Sequence, residues 1–254
     1  MANILSYRMG YVNQPQLPLD RIARLGIKYL EVSVADDQTA DDVKAALAPY
    51  GLLVSTLSGR LTPLVEETFL DSVRKNSALA KALGARGIFV SVKAGEVPLE
   101  EAYRKLHEAG DIVASDGLFL AMETHPDLCE NGTKAAETLS QVNHPAVGWN
   151  MDTANLYYYN ENVDAVEQAR LAAKYVRAVH AKDTPGGFKD PNFPNLGEGI
   201  VDFAAVGKVL VEVGFDGPWT MELEGIAGSA DSADKMEENV RACAEHLRGL
   251  GLVE

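Results

Sequence analysis

Four polar residues that could do chemistry together each end a short apolar segment of the sequence. They are Glu123 in LFLAMETH, Asp152 in VGWNMDTAN, His180 in VRAVHAKD and Glu222 in WTMELEG. Each segment is typical of a buried β-strand. If the four strands lie side by side and run parallel, their polar ends converge at one edge. Three carboxylates and an imidazole would repel one another there unless a divalent cation or a shared proton lay among them, so the pattern predicts a metal site.

The alternation of side chains along these strands supports the convergence. On the second of them, Trp149 and Met151 have the opposite parity to Asp152, and the other three strands follow the same rule. If the ionisable residues faced the surrounding helices instead, each would be buried without a partner, at a cost on the order of several kcal/mol. The inward orientation therefore accounts better for the pattern. Polar residues at strand ends are common in themselves, but four metal-competent ones on successive strands are not.

The rest of the chain alternates between strand-like and helix-like segments. Apolar runs predict strands at Ile4–Tyr7, Tyr29–Ser33, Leu52–Leu57, Gly87–Val92, Leu118–Glu123, Val147–Asp152, Val176–Ala181 and Thr220–Leu223. Helical spacing of apolar residues predicts helices at Ala40–Pro49, Glu67–Leu83, Leu99–Ala114, Lys134–Val142, Val163–Lys174, Phe203–Val213 and Ala233–Leu247. Repeated strand–helix units imply parallel strands joined by right-handed crossovers, and eight of them in this length favour a closed (β/α)8 TIM barrel. An open doubly wound sheet is the alternative, but no glycine-rich phosphate loop follows the first strand.

Two long connections interrupt this alternation, Ser58–Val65 and Asp183–Gly199. The second is rich in Gly, Pro and Asn and cannot form a regular element. Long connections after barrel strands lie on the face where chemistry occurs, so we expect Asp183–Gly199 to act as a lid. No linker or low-complexity stretch appears, and we expect one domain over residues 1–254.

Composition limits the classes of partner. The formal net charge of −14 argues against a surface that binds nucleic acid, and no apolar run is long enough to predict a membrane span. Cys129 and Cys243 do not form a disulfide framework, and we expect both to be reduced. The first residues lack the features of a signal peptide. We expect a cytoplasmic protein, either a monomer or a homo-oligomer.

The motifs LAMETH, NMDTAN, VHAKDT, LGEGIVDF and TMELEG, in this order, resemble the xylose isomerase-like TIM-barrel superfamily. Within it the chain is similar to the sugar phosphate isomerase/epimerase group, which includes ketose 3-epimerases and hydroxypyruvate isomerases. The resemblance covers most of the chain, and its specific motifs lie from about Leu118 onward. It implies a metal-dependent enzyme acting on a small-molecule sugar.

By this resemblance, Glu123, Asp152, His180 and Glu222 ligate one divalent metal. We expect Mn²⁺, with Mg²⁺, Co²⁺ and Zn²⁺ left open, since an oxygen-rich shell with one imidazole suits several cations. Glu123 and Glu222 would also form the acid/base pair of an isomerase or epimerase. Such chemistry removes a proton beside a carbonyl and passes through an enediolate that a cation stabilises as a Lewis acid.

Further residues are candidates for contact with the substrate. His125 shares the parity of Glu123 and is predicted to be catalytic, although a structural histidine bonded to a backbone carbonyl would fit as well. Lys182 has inward parity and is predicted either to bind substrate oxygen or to pair with Asp152 or Glu224. Asn155 is a predicted substrate-binding residue, and so is Glu198, which could instead hold the lid.

The chain also departs from a pattern of the group. Ketose 3-epimerases usually have a Glu and an Arg shortly after the metal-binding histidine, whereas here His180 is followed by Ala-Lys-Asp-Thr. A Glu-x-His arrangement like that of Glu123 and His125 occurs in related enzymes that cleave 3-oxo-glycosides by elimination. A lyase or dehydratase acting on an inosose or a 3-oxo-glycoside is therefore the alternative function.

Two more distant functions share the barrel. An endonuclease IV-type repair protein would need more histidine ligands and a basic groove, which a chain with five histidines and a charge of −14 does not favour. A sugar-binding barrel without catalytic activity would tolerate the change Glu222→Gln, whereas an enzyme would lose turnover.

Overall fold

Eight parallel strands close into a barrel in which each strand pairs with the next in sequence and β8 pairs with β1. The structure, a computed structural model, describes residues 3–226, 228 and 231–254. The strands are β1 (Ile4–Tyr11), β2 (Tyr29–Ser33), β3 (Leu53–Ser58), β4 (Gly87–Val90), β5 (Phe119–Glu123), β6 (Val147–Asp152), β7 (Val176–Ala181) and β8 (Pro218–Met221). The predicted (β/α)8 barrel is thus confirmed.

Helices connect the strands and form the outer layer. They are α1 (Leu19–Arg24), α2 (Ala40–Leu47), α3 (Phe69–Leu83), α4 (Leu99–Ser115), α5 (Gly132–Val142), α6 (Asn155–Tyr159), α7 (Ala165–Ala172), α8 (Phe203–Glu212) and α9 (Ala233–Gly249). Short 3₁₀ turns at 48–50 and 173–175 lead into β3 and β7. No helix of the described residues is both long enough and apolar enough to cross a membrane.

Local sequence explains where several helices begin and end. The Asn131 side chain accepts a hydrogen bond from Lys134 N at 2.9 Å and caps the start of α5. Asp202 and Ser232 cap α8 and α9 in the same way. At the end of α3, Gly84 adopts φ = 74°, a left-handed conformation that glycine reaches without steric cost. These local signals mark the starts of α5, α8 and α9 and the end of α3.

The main hydrophobic core lies between the barrel and its helices. Trp149, Trp219 and Met221 are fully buried there, in the parity that the sequence predicts for helix-facing residues. Inside the barrel the buried side chains are largely polar; Ser6 and Ser55, for example, lie 2.7 Å apart, oxygen to oxygen. Because successive residues of a strand face opposite sides, the same strands build the apolar layer and present polar groups to the barrel mouth.

The connection between β7 and α8 contains no helix or strand, as predicted for Asp183–Gly199. Its structure depends on Asp183, whose buried carboxylate accepts hydrogen bonds from backbone N–H groups at both ends of the loop. They are those of Thr184 (2.9 Å), Gly197 (2.8 Å), Gly199 (2.9 Å) and Val201 (3.2 Å). One side chain thus holds an otherwise irregular segment in place beside the barrel mouth.

Candidate metal centre and active site

The four residues singled out from the sequence meet at the carboxyl-terminal mouth of the barrel. Glu123 ends β5, Asp152 ends β6, His180 lies in β7, and Glu222 directly follows β8. One ligand atom from each side chain lies within 4.8 Å of those from the other three. Asp152, His180 and Glu222 are buried, and Glu123 is partly exposed toward the cavity. The convergence that strand parity predicts is present.

The donor set fits a divalent cation. Ligand atoms about 2.0–2.6 Å from one ion lie at most about 5 Å apart, which agrees with the observed 4.8 Å. Asp152 Oδ2, His180 Nδ1 and Glu222 Oε2 are buried without a hydrogen-bond partner among the described residues. His180 Nδ1 and Glu222 Oε2 are 2.5 Å apart but do not have hydrogen-bond geometry. Buried polar atoms in one cluster that the protein leaves without hydrogen bonds are typical of a metal site.

Backbone and side-chain groups hold the ligands in place. Asp152 Oδ1 accepts the N–H groups of Ala154 and Asn155, each at 2.9 Å, which leaves Oδ2 free. On His180, Nε2 lies 3.2 Å from Oε2 of Glu31, a fully buried carboxylate in β2. Glu31 also accepts a hydrogen bond from the Thr56 hydroxyl at 2.8 Å. A carboxylate behind an imidazole fixes its ring and leaves the other nitrogen available to a metal.

Two cations compensate the negative charge of this cluster. Arg8, from β1, forms an ion pair with Glu222, and its Nε lies 3.6 Å from Glu31 Oε1. Lys182 Nζ lies 3.1 Å from Glu224 Oε2 and 3.8 Å from Glu222 Oε1. These two positive charges offset part of the cost of burying the carboxylates beside them.

The pKa values follow from burial and these neighbours. Burial raises the pKa of Asp152 to about 7, although the positive charge of Lys182 acts to lower it. Burial and the charge of Glu222 also raise the pKa of Glu123. Burial alone would raise the pKa of Glu222, but His180, Lys182 and Arg8 together hold it well below its usual range. Burial disfavours the charged form of His180, but the negative charges of Glu31 and Glu222 outweigh the effect of burial. Together they raise the pKa of His180 to about 10.

A cavity of about 340 Å³ opens above the cluster. Glu123 and Glu222 form part of its floor, and three of the predicted substrate-contacting residues, His125, Asn155 and Lys182, line it. Asn155 Nδ2 lies 3.4 Å from Glu123 Oε1 and 3.3 Å from the Thr124 carbonyl. The amide therefore joins the Glu123 carboxylate to the backbone that follows β5.

His125 and Lys182 each show the structural interaction that the sequence left as an alternative. His125 Nδ1 lies 2.7 Å from the carbonyl oxygen of Pro126, which orients the ring. Lys182 pairs with Glu224. His125 and Lys182 nevertheless both line the cavity. These interactions leave both side chains within reach of a bound molecule, and their roles toward substrate stay predictions.

Glu198 lies elsewhere. It is exposed, does not line this cavity, and its Oε1 accepts a hydrogen bond from Asn195 Nδ2 at 3.4 Å within the same loop. This position suits the loop-holding interpretation better than contact with substrate. The loop itself does reach the cavity, because Pro191 and Phe193 line it.

Aromatic side chains form one wall of the cavity. Tyr158 and Tyr159 pack edge to face with ring centres 4.9 Å apart, and the Tyr159 ring lies 4.8 Å from that of His125. Phe193, from the loop after β7, packs against Tyr158 at 6.3 Å and lies 4.2 Å from Lys182 Nζ. The cavity thus combines a charged floor with an uncharged wall.

Arg8 and Glu31 are site residues that the sequence predictions missed. Both carry a charge inside a short apolar strand, Arg8 in ILSYRMGY and Glu31 in YLEVS. Glu31 lies between fully buried Leu30 and Val32, so its parity is opposite to theirs and points into the barrel. The same strand parity that points to Glu123, Asp152, His180 and Glu222 in the second half of the chain also distinguishes Arg8 and Glu31 in the first half.

Comparison with known proteins agrees with this architecture. The family model described as xylose isomerase-like TIM barrel matches residues 19–248. The L-ribulose-5-phosphate 3-epimerase UlaE of Shigella flexneri serotype 5b (strain 8401) is 29% identical over an alignment of 257 positions, gaps included, that covers 88% of this chain and 86% of that protein. Further curated relatives of the same name match over 51% to 61% of their own length.

Solved structures share the fold at lower identity. A xylose isomerase domain protein from Planctomyces limnophilus superposes with a TM-score of 0.80 at 21% identity, over 98% of both chains. D-allulose 3-epimerase from Methylomonas sp. superposes with a TM-score of 0.74 at 16% identity, over 98% of this chain and 99% of that one. At such identities the likeness concerns the fold. With the family match over most of its length, the chain belongs to the xylose isomerase-like TIM barrel family.

Proposed function

We propose that this chain is a divalent-metal-dependent ketose epimerase that moves a proton at the carbon beside the carbonyl. The observation that carries the proposal is the convergence of Glu123, Asp152, His180 and Glu222 within 4.8 Å, with Glu123 and Glu222 at the floor of a cavity. The relatives support an enzyme of the isomerase and epimerase group, since the curated ones are L-ribulose-5-phosphate 3-epimerases.

Glu123, Asp152, His180 and Glu222 would hold the ion. An oxygen-rich set with one imidazole suits Mn²⁺, Mg²⁺ or Co²⁺, and we propose Mn²⁺. When bound, the cation would supply Lewis-acid stabilisation of negative charge on the oxygens of the substrate.

Glu123 and Glu222 would act as the general acid and general base. Their strands, β5 and β8, are separated by two others, so the two carboxylates approach the cavity from different sides. One carboxylate would take the proton from the carbon beside the carbonyl to give an enediolate. The other would return a proton to the opposite face and invert that carbon. Microscopic reversibility lets the two exchange roles in the reverse direction.

Other residues would orient the substrate and the acid/base pair. Asn155 reaches toward Glu123. His180, Lys182 and Arg8 together hold the pKa of Glu222 well below its usual range. Tyr158, Tyr159 and Phe193 would cover the carbon skeleton and exclude water. His125 would contact a hydroxyl group of the sugar from the same wall.

Proton exchange with solvent tests this function directly. The metal-loaded protein is incubated in heavy water with a panel of ketoses, including L-ribulose, L-ribulose 5-phosphate and D-allulose, and with 3-oxo-glycosides. Epimerisation predicts deuterium at the carbon beside the carbonyl together with the inverted sugar. Loss of a β-substituent without epimer would identify elimination instead. Absence of label from every compound would contradict proton transfer.

One variant and one control test whether the exchange depends on the basicity of Glu222. Glu222→Gln keeps the size of the side chain but removes its basicity, and we expect exchange to fall about 10²–10⁴-fold. Glu212→Gln makes the same charge change on the exposed face of α8, where Glu212 lies 4.0 Å from Arg170, and should leave exchange unchanged.

A further inference from the structure

The positively charged side chains that line the cavity already form ion pairs within the protein. Arg8 and Lys182 are the only lysine or arginine residues lining it in the described part of the chain. Arg8 pairs with Glu222 and approaches Glu31, whereas Lys182 Nζ lies 3.1 Å from Glu224. Each of the two cations therefore already shares its charge with internal carboxylates, which weakens the attraction it can offer to a charged group on a ligand.

The charge of the lining is unfavourable for an anion. Glu123, Glu222 and Glu224 outnumber the two cations among the lining residues, and Asp152 is buried directly behind them. A bound divalent ion would offset the carboxylates of its own ligands. A phosphate dianion that entered beside Glu224 would be repelled by the Glu224 carboxylate. The cation at this position, Lys182, is already paired with that carboxylate.

Four backbone donors in the loop after β7 are also occupied. In TIM barrels the loops after strands seven and eight frequently bind phosphate through backbone N–H groups. Here the Asp183 carboxylate accepts hydrogen bonds from Thr184, Gly197, Gly199 and Val201. An internal carboxylate therefore takes donors of this loop that an external phosphate could otherwise use.

The remaining wall suits an uncharged molecule. Tyr158, Tyr159 and Phe193 present aromatic surface, and Asn155 and His125 offer hydrogen-bonding groups suited to hydroxyls. The loop between β7 and α8 contributes one further cation, Lys189, which is exposed, lies over the Phe188 ring and does not line the cavity.

Building on the proposed function, we infer that the substrate is an unphosphorylated keto-sugar and that its phosphate ester is the poorer substrate. This selectivity would set the chain apart from the L-ribulose-5-phosphate 3-epimerases that it resembles in sequence. The residues outside the described ranges, Met1, Ala2, Ala227, Ser229 and Ala230, carry no cationic side chain that would alter the charge argument.

Matched pairs of substrates test the inference. Ketopentoses and ketohexoses are compared with their terminal phosphate esters, for example L-ribulose with L-ribulose 5-phosphate, by kcat/KM for deuterium exchange. We expect the unphosphorylated member of each active pair to be favoured at least about tenfold. Preference for the ester would overturn the inference and leave the proposed function intact. Exchange with neither member of any pair would overturn the proposed function and, with it, the inference.

A single substitution tests whether the Lys182–Glu224 ion pair disfavours the phosphate ester. Glu224 is 59% exposed in its side chain, so Glu224→Gln should fold normally while releasing Lys182 from its ion pair. We expect the ratio of kcat/KM for ester over free sugar to rise about tenfold. Glu212→Gln, with the same charge change far from the cavity, should leave the ratio unchanged. An unaltered ratio in Glu224→Gln would contradict the role assigned to the Lys182–Glu224 pair.

Discussion

Glu31 Oε2 lies 3.2 Å from His180 Nε2, deep in the barrel, where both side chains are fully buried. This pair joins β2 to β7 across the barrel interior. Because Nε2 faces the carboxylate, Nδ1 is the nitrogen left beside Glu222. Glu31 contacts the imidazole and does not line the cavity, so in the proposed metal centre it would be a positioning residue.

Replacing Glu31 tests that role. Glu31→Gln keeps the shape but weakens the hold on the imidazole, and we expect Mn²⁺ affinity to fall about 10–100-fold. Isothermal titration of the metal-free protein measures the change. Glu238→Gln, on the exposed side of α9 beside Lys235, serves as the control and should bind Mn²⁺ as the unmodified protein does. Unchanged affinity in Glu31→Gln would show that the pair does not support the metal site.

Metal affinity should depend on pH in a defined direction. A metal ion competes with protons for its ligands, so affinity falls as pH falls. In the metal-free protein the pKa of His180 is raised to about 10, and one proton must leave it throughout the neutral range. The pKa of Asp152 is raised to about 7, so a second proton competes only below that pH. Between about pH 6 and pH 8, the slope of log affinity against pH should change from about two to about one. A constant slope would contradict this assignment.

Metal binding should stabilise the folded chain. The four ligands are brought together only by folding, so the ion binds the native state and shifts unfolding by mass action. At about one hundred times the dissociation constant the gain is about 2.7 kcal/mol, equivalent to a rise in Tm of about 5–10 °C. Calorimetry with and without Mn²⁺ measures it. An equal rise in an Asp152→Asn, Glu222→Gln double variant would place the stabilising ion elsewhere.

Asp183 should be important for the stability of the loop between β7 and α8. Asp183→Ala leaves four backbone N–H groups without their acceptor, and we expect it to lower the free energy of unfolding by about 2–4 kcal/mol. Asp190→Ala, in the same loop, removes an acceptor of the single N–H of Asn192 and should cost less than about 1 kcal/mol. Denaturant unfolding separates the two variants. Equal losses would show that the Asp183 hydrogen bonds do not hold the loop.

The sequence predicts most of the fold because each barrel strand is a short apolar run. The prediction for β1 stopped at Tyr7, whereas the strand continues to Tyr11, because Arg8 and Gly10 interrupt the apolar pattern. Helices α1 and α6 were not predicted. They have six and five residues, too few for helical periodicity to appear in the sequence.

The convergence of the four candidate ligands was also predictable from strand parity, because a closed parallel barrel brings the ends of successive strands together. The aromatic wall was not, since the position of Phe193 depends on how Asp183 folds a loop that has no regular pattern. Similarly, the pairing of Lys182 with Glu224 depends on side-chain distances that strand spacing does not determine.

The most direct test of the metal centre is anomalous diffraction from crystals loaded with Mn²⁺. We expect one peak per chain about 2.0–2.6 Å from side-chain atoms of Glu123, Asp152, His180 and Glu222. No peak among these four residues, or a single peak coordinated by other side chains, would contradict the metal site on which the proposed epimerase depends.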